Sequence, residues 1–208
     1  TAAIEGLVPD SHQHLVPLGP DPAIFHPEPE ERRRQRERLG LQDDDIVIGA
    51  ATALRPIKKL EDFIAAITEL GRRNPRVVGL IAGGAIVGDE AYRDMIHDRI
   101  TASQMGNRLR WLGHLEPIAP FLQALDVFVS TSVYETFGNS VCEAMACGLP
   151  VVAYKGGSVQ EVVGDAGYVH DNGDVGALTR SLALLVDDVS ERSWAGLQAQ
   201  RQIGRAHV

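Results

Sequence analysis

DVFVSTSVYETFGNSVCEAMACGLPVVA, residues 126–153, holds two apolar runs, 127–129 and 151–153, separated by a loop and a helix-forming segment. Asp126, Val127, Phe128 and Val129 read as a buried strand, and from about Asn139 the composition turns helical through Glu143, Ala144, Met145 and Ala146. Asn139 or Ser140 is expected to cap that helix. A helix start leaves backbone N–H groups unpaired and carries the positive end of the macrodipole, while Gly138 lets a ligand approach the main chain, so the turn suits a phosphate. Glu143 falls one turn further, roughly 6 Å on at ~1.5 Å per residue. That spacing fits a ribose beside a diphosphate, with Glu135 in the loop just before.

Outward from this stretch, apolar runs at 46–51, 77–82, 109–112, 127–129 and 151–153 alternate with helical patterns: Leu60, Phe63, Ile64, Ile67 and Leu70; Tyr92, Met95, Ile96 and Ile100; Val175, Leu178, Leu182 and Leu185. Runs apolar on both faces are what a parallel sheet covered on each side by helices demands. The expected class is therefore α/β, a doubly wound, Rossmann-like parallel sheet. Ligands of such sheets sit at the carboxyl ends of the strands, here the loops 53–59, 83–89, 113–117, 130–139 and 154–158.

The chain has 208 residues and a formal net charge of −8, which argues against nucleic acid as a partner and requires any phosphate to be held by a local cluster. No signal peptide or membrane-spanning run is visible, so a cytoplasmic location is expected. The 2 cysteines, Cys142 and Cys147, point in different directions on one helix and read as buried small hydrophobes. The 7 histidines make no ligand spacing with them, and His12 and His14 have no visible acid or nucleophile partner; no metal site is indicated. Asp43, Asp44 and Asp45 precede a strand at the end opposite the ligand loops and read as a turn.

Residues 1–40 differ from the rest: Pro17, Pro20, Pro22, Pro27 and Pro29 set an extended path before a charged helix at 30–39, a connector rather than a core. Its interleaved glutamates and arginines favour a solvated helix over a membrane-facing one. Residues 41–208 form the ligand-binding domain. Arg55, Lys58 and Lys59 follow the first strand, where a phosphate would be met; a solubilising loop is the competing reading. Neither GxGxxG nor GxxxxGK[ST] is present there. Gly83-Gly84 and Gly156-Gly157 end strands, either for a tight turn or for close approach of a ligand. Glu135 and Glu143 sit in a loop and in the following helix around a phosphate-type cradle, which fits transfer from a phosphorylated donor better than the facing acids of a glycosidase.

With these residues in view, the chain resembles the nucleotide-sugar-binding, C-terminal half of family 4 (group 1) retaining glycosyltransferases of the GT-B fold. The resemblance rests on Glu135-x7-Glu143 inside ETFGNSVCEAMACGLPVVA, followed by GGSVQEVVGDAGYV and preceded by LRPIKK and RLRWLGHL, and on a connector pattern at Pro17, Gly19, Asp21, Phe25 and Pro27. It implies that Glu143 binds the ribose hydroxyls and that Glu135 lies near the donor sugar and the reacting centre. Thr136, Phe137, Gly138, Asn139 and Ser140 belong to the same donor site, the last three through backbone amides. Lys58 and Arg55 stabilise the departing nucleoside diphosphate, and the loop 114–117, with Leu115, lines the base. No cofactor and no metal are implied; the donor is a UDP, GDP or ADP sugar, transferred with retention.

Three departures from the family pattern stand out. Ala53 occupies a position often held by arginine, Lys59 one usually held by glycine, and an N-terminal acceptor domain is missing before the connector. The expectation is a donor half that binds a nucleotide sugar but transfers poorly by itself, with membrane contact reserved to the absent half and a homodimer left open. A standalone nucleotide-binding or dimerising module without turnover, and a GT-B sugar-nucleotide epimerase fragment, are the alternatives.

Overall fold

The computed structural model describes residues 19–205. Six parallel strands, β1 (Ile46–Ala51), β2 (Val77–Ala82), β3 (Leu109–Trp111), β4 (Val127–Ser130), β5 (Val151–Tyr154) and β6 (Tyr168–His170), lie in the order β3-β2-β1-β4-β5-β6. Strand order reverses between β1 and β4. The carboxyl ends at such a reversal are where a doubly wound sheet has its ligand crevice.

Side-chain alternation builds a core on each face. From β1 and β2, Ile46, Ile48, Ala50, Val77 and Ile81 join one apolar cluster; Val47, Val78, Leu80 and Ala82 join the other. The first is covered by the apolar stripes of α2 (Leu60–Arg73), α3 (Glu90–Ala102) and α7 (Val175–Asp187), made of the residues expected from their helical spacing apart from Val175, which is half-buried outside the cluster. The second is covered by α4 (Ala119–Ala124), α5 (Asn139–Ala146), α6 (Val159–Val163) and α8 (Val189–Arg205). Cys142 and Cys147 are both free and buried in it; burial first, and the Glu143 charge second, push their thiols up to about 11 and about 12.

The charged helix α1 (Pro29–Arg38) departs from the solvated helix expected of it. Arg33 and Arg34 do pair with Glu30, Glu37 and Glu31 on an exposed face. The opposite face is docked: Arg36 is 8% exposed and donates to the Ala124, Gln42 and Asp45 carbonyls and to Asp126 Oδ2, while Arg32 reaches Asp126 Oδ1 at 2.6 Å. A guanidinium can be buried when carbonyls and a carboxylate satisfy its N–H groups. Charge content alone does not reveal that. Of the connector pattern, Pro17 lies outside the described residues, as do His12 and His14. Asp21 caps a turn by accepting from the Ala23 N–H, and Phe25 packs against the second cluster.

Asp43 and Asp44 form the turn before β1, and the Asp45 carboxylate accepts from the Gln42 N–H at 2.7 Å. Among the described residues no three histidine, cysteine or acidic side chains gather as a metal site, and no helix is long and apolar enough to cross a membrane.

Candidate functional site

Two loops meet across the crevice. After β1 the chain makes a short 3₁₀ turn, Pro56–Lys58, and enters α2 through Lys59, whose φ of 48° and ψ of 41° are left-handed. The position that is usually glycine in the resembled family thus keeps a glycine-like backbone, at a strain of roughly 1 kcal/mol. After β4 the chain carries Glu135 and Gly138 into α5. The loops are stitched together: Thr131 Oγ1 donates to the Lys58 carbonyl at 2.7 Å and the Val133 N–H donates to the Ile57 carbonyl at 3.0 Å. On this frame Lys58 Nζ donates to Glu135 Oε1 at 2.6 Å, the two side chains only 17% and 16% exposed.

A third loop supports Glu135 from behind. The Ser158 N–H donates to the Glu135 carbonyl at 3.1 Å, and a Cβ on Gly157, whose φ is +61°, would lie 1.9 Å from that carbonyl oxygen. Gly156-Gly157 therefore accommodates the protein's own backbone. In the same loop the Ser158 hydroxyl is buried without a hydrogen-bond partner among the described residues.

The cap of α5 corrects the sequence reading. Neither Asn139 nor Ser140 caps: the N-cap is Gly138 at φ 81°, and no side chain bonds to the first turn. A Cβ there would have space, 3.8 Å from its nearest neighbour, so the glycine serves the left-handed backbone. The Val141 and Cys142 N–H groups bond to the Gly138 carbonyl; among the described residues those of Asn139 and Ser140 have no acceptor and face outward at the positive end of the helix.

Glu143 lies one turn in, half-buried, with no side-chain partner among the described residues, and burial raises its carboxyl above the usual glutamate range. The sign follows from linkage: the folded state holds this proton to higher pH than the unfolded state does, so stability falls as pH rises from the ordinary glutamate range through the raised value. Glu143→Gln is expected to melt higher than wild type at about pH 8 and level with it at about pH 4. Equal melting temperatures at both pH values would contradict an unpaired, desolvated carboxylate.

The other nominated residues divide. Phe137 is half-buried against the second cluster, and Thr136 is exposed beside it. Arg55 points to α3, its Nε 3.3 Å from Asp89 Oδ2 and its side chain 54% exposed. Leu115 lines a hollow of about 380 Å³ with Arg38, Leu39 and Phe121, between α1 and α4, a hollow that neither Lys58 nor Glu135 lines. A further hollow of about 280 Å³, at the opposite end of the strands, is lined by Arg32 and Asp126, which are bound to each other.

Sequence reasoning missed the residues that hold the site. Tyr92 accepts from the Leu60 N–H at 2.8 Å and donates to Glu61 Oε2 at 2.6 Å, taking the role of a cap at the start of α2; Tyr154 donates to Asp62 Oδ2 at 2.9 Å on the next residue. Burial first, and the adjacent carboxylate second, raise both phenols far above their usual value, so both remain neutral donors. Tyr92 is expected in the apolar stripe of α3, whereas Tyr154, expected to open the ligand loop 154–158, is instead the buried last residue of β5.

A doubly wound parallel sheet with a glycine-capped helix start and the Lys58–Glu135 pair at its switch point is the arrangement of the C-terminal half of the GT-B glycosyltransferase fold. The chain belongs to the glycosyl transferases group 1 family, whose model matches residues 31–202. It is 38% identical over 178 residues to the O-antigen chain mannosyltransferase B of Escherichia coli, covering 83% of this chain and 43% of that protein. It is 32% identical over 207 residues to a GDP-mannose-dependent monoacylated alpha-(1-6)-phosphatidylinositol monomannoside mannosyltransferase of Corynebacterium glutamicum, covering 94% and 51%. Among solved structures, Anabaena HepE in complex with UDP matches with a TM-score of 0.82 and 28% identity, over 90% of this chain and 51% of that one. The chain thus spans about half the length of the relatives it matches.

Proposed function

We propose that the chain is the donor-binding half of a family 4, retaining glycosyltransferase that moves a sugar from a nucleoside-diphosphate sugar to an acceptor. The observation that carries this reading is the juxtaposition of the buried Lys58–Glu135 pair, the open amides of Asn139 and Ser140, and the unpartnered carboxylate of Glu143 one turn further on. The diphosphate lies on the amides and Lys58, the ribose hydroxyls donate to Glu143, and the transferred sugar lies toward Glu135. Fixed cations and helix amides hold the diphosphate without a metal. UDP in HepE and the GDP-mannose-dependent relative both support a nucleoside diphosphate as the handle.

Acceptor binding belongs to a second domain, and the cytoplasmic location expected from the sequence is part of the same proposal. Transfer by this chain alone is slow, because half of the walls that orient substrates and exclude water are supplied elsewhere. Calorimetric titration with UDP, GDP and ADP separates the two acids. Glu143→Ala weakens binding of the preferred nucleotide at least tenfold, about the worth of a lost charge-assisted hydrogen bond, and Glu135→Ala does not. Equal losses would refute the division of roles.

A further inference from the structure

Every cation the sequence nominates for a phosphate is already paired with a carboxylate. Arg55 meets Asp89 at 3.3 Å, Lys59 meets Glu61 at 3.5 Å and Lys58 meets Glu135 at 2.6 Å. The first two pairs are open to water, with Arg55 54% and Lys59 44% exposed, and such pairs exchange at little cost. The third is sequestered on both sides, and its members have no other side-chain partner among the described residues. The two loops under it cannot simply separate, because backbone and hydroxyl hydrogen bonds join Thr131 to Lys58, Val133 to Ile57 and Ser158 to Glu135.

We infer that Glu135 acts as a built-in competitor for the phosphate site: the carboxylate occupies Lys58 in the empty protein, and a diphosphate must displace it, by side-chain rotation alone, to reach the ammonium. The inference rests on the phosphate site proposed above. An anion arriving at Lys58 otherwise shares one ammonium with the Glu135 carboxylate bound to it at 2.6 Å, and two anions on one ammonium repel strongly in a partly dry site. Displacement also turns the freed Glu135 toward the crevice. Glu135 thereby couples the presence of a diphosphate to its own availability, and lowers affinity for a bare diphosphate that brings no sugar to receive it.

Inorganic pyrophosphate, which carries neither base nor sugar, is the probe. Titrated calorimetrically against the whole chain, Glu135→Gln is expected to bind it about tenfold more tightly than wild type, as removal of one like charge at contact range requires. Glu135→Ala, which leaves no amide behind, should change in the same direction, and Lys58→Ala should lose binding by at least about tenfold. If Lys58→Ala weakens binding while both Glu135 variants bind no better than wild type, the competitor role is overturned, and Glu135 instead orients a lysine that holds both anions at once through its several N–H groups. If Lys58→Ala leaves pyrophosphate affinity unchanged, or no folded variant binds it, the phosphate site itself fails and the inference with it.

Discussion

Asp126→Ala is expected to lower the unfolding free energy by about 3–5 kcal/mol in denaturant titration, the range for stripping one partner from a buried ion pair. Asp126 is the point at which α1 is fastened to the sheet. Its Oδ1 accepts from Arg32, and its Oδ2 accepts from both Arg36 and the Val47 N–H at the start of β1. Alanine leaves Arg36, 8% exposed, charged and facing carbonyls alone, and leaves the Val47 N–H without that acceptor. Asp126→Asn, which retains one carbonyl acceptor, should lose less. A loss for the alanine variant below about 1 kcal/mol, the scale of a solvent-exposed pair, would mean that α1 is not docked through this carboxylate.

Gly157→Ala is expected to be comparably damaging, by about 3–5 kcal/mol, but through steric and dihedral strain together. The new methyl would stand 1.9 Å from the Glu135 carbonyl oxygen and 2.9 Å from the Glu135 nitrogen. Backbone atoms cannot rotate away as a side-chain end can, and the Ser158 N–H holds that same carbonyl. Relief has to come from moving the Glu135 loop, which pulls the carboxylate off Lys58. Gly138→Ala is the control: the φ is equally left-handed, but a Cβ meets nothing closer than 3.8 Å, so only the dihedral term of roughly 1 kcal/mol is expected in stability. Equal losses at the two glycines would show that the close approach at Gly157 does not matter.

Sheet and helices were legible wherever apolar residues made long, regular patterns. The five runs read from the sequence are β1 to β5: β1, β2, β4 and β5 are buried almost throughout and so apolar, β3 is a short edge strand with Leu109 and Trp111 around Arg110, and the stripes of α2, α3 and α7 carry large apolar residues at every turn. The sixth strand was not read: Tyr168–His170 is three residues at a sheet edge, all half-buried, and offers no continuous run. Helix α8 buries Ala195, Ala199 and Ile203 while exposing Trp194 and Leu197, so its larger apolar residues point the wrong way for a pattern search. Helices α4 and α6 are too short for any period to show.

Of the candidate site, the sequence shows the order of some residues but not their arrangement. Glu135, Gly138 and Glu143 could be placed in order along one loop and one helix. That Lys58 closes on Glu135, 77 positions away in sequence, depends on β1 and β4 being neighbours, which sequence spacing does not report. The expected Asn139 or Ser140 cap followed residue preferences for helix starts. The left-handed Gly138 overrode them and left the amides free, a local departure that favours an anion.

The most direct measurement is calorimetric titration of the folded chain with UDP, GDP and ADP sugars, repeated after treatment with EDTA. Saturable one-to-one binding of at least one of them, lost in Glu143→Ala and indifferent to EDTA, is the expected result. A folded chain that binds none of the three would contradict the donor site, and binding that vanishes with EDTA would contradict a diphosphate held by Lys58 and helix amides alone.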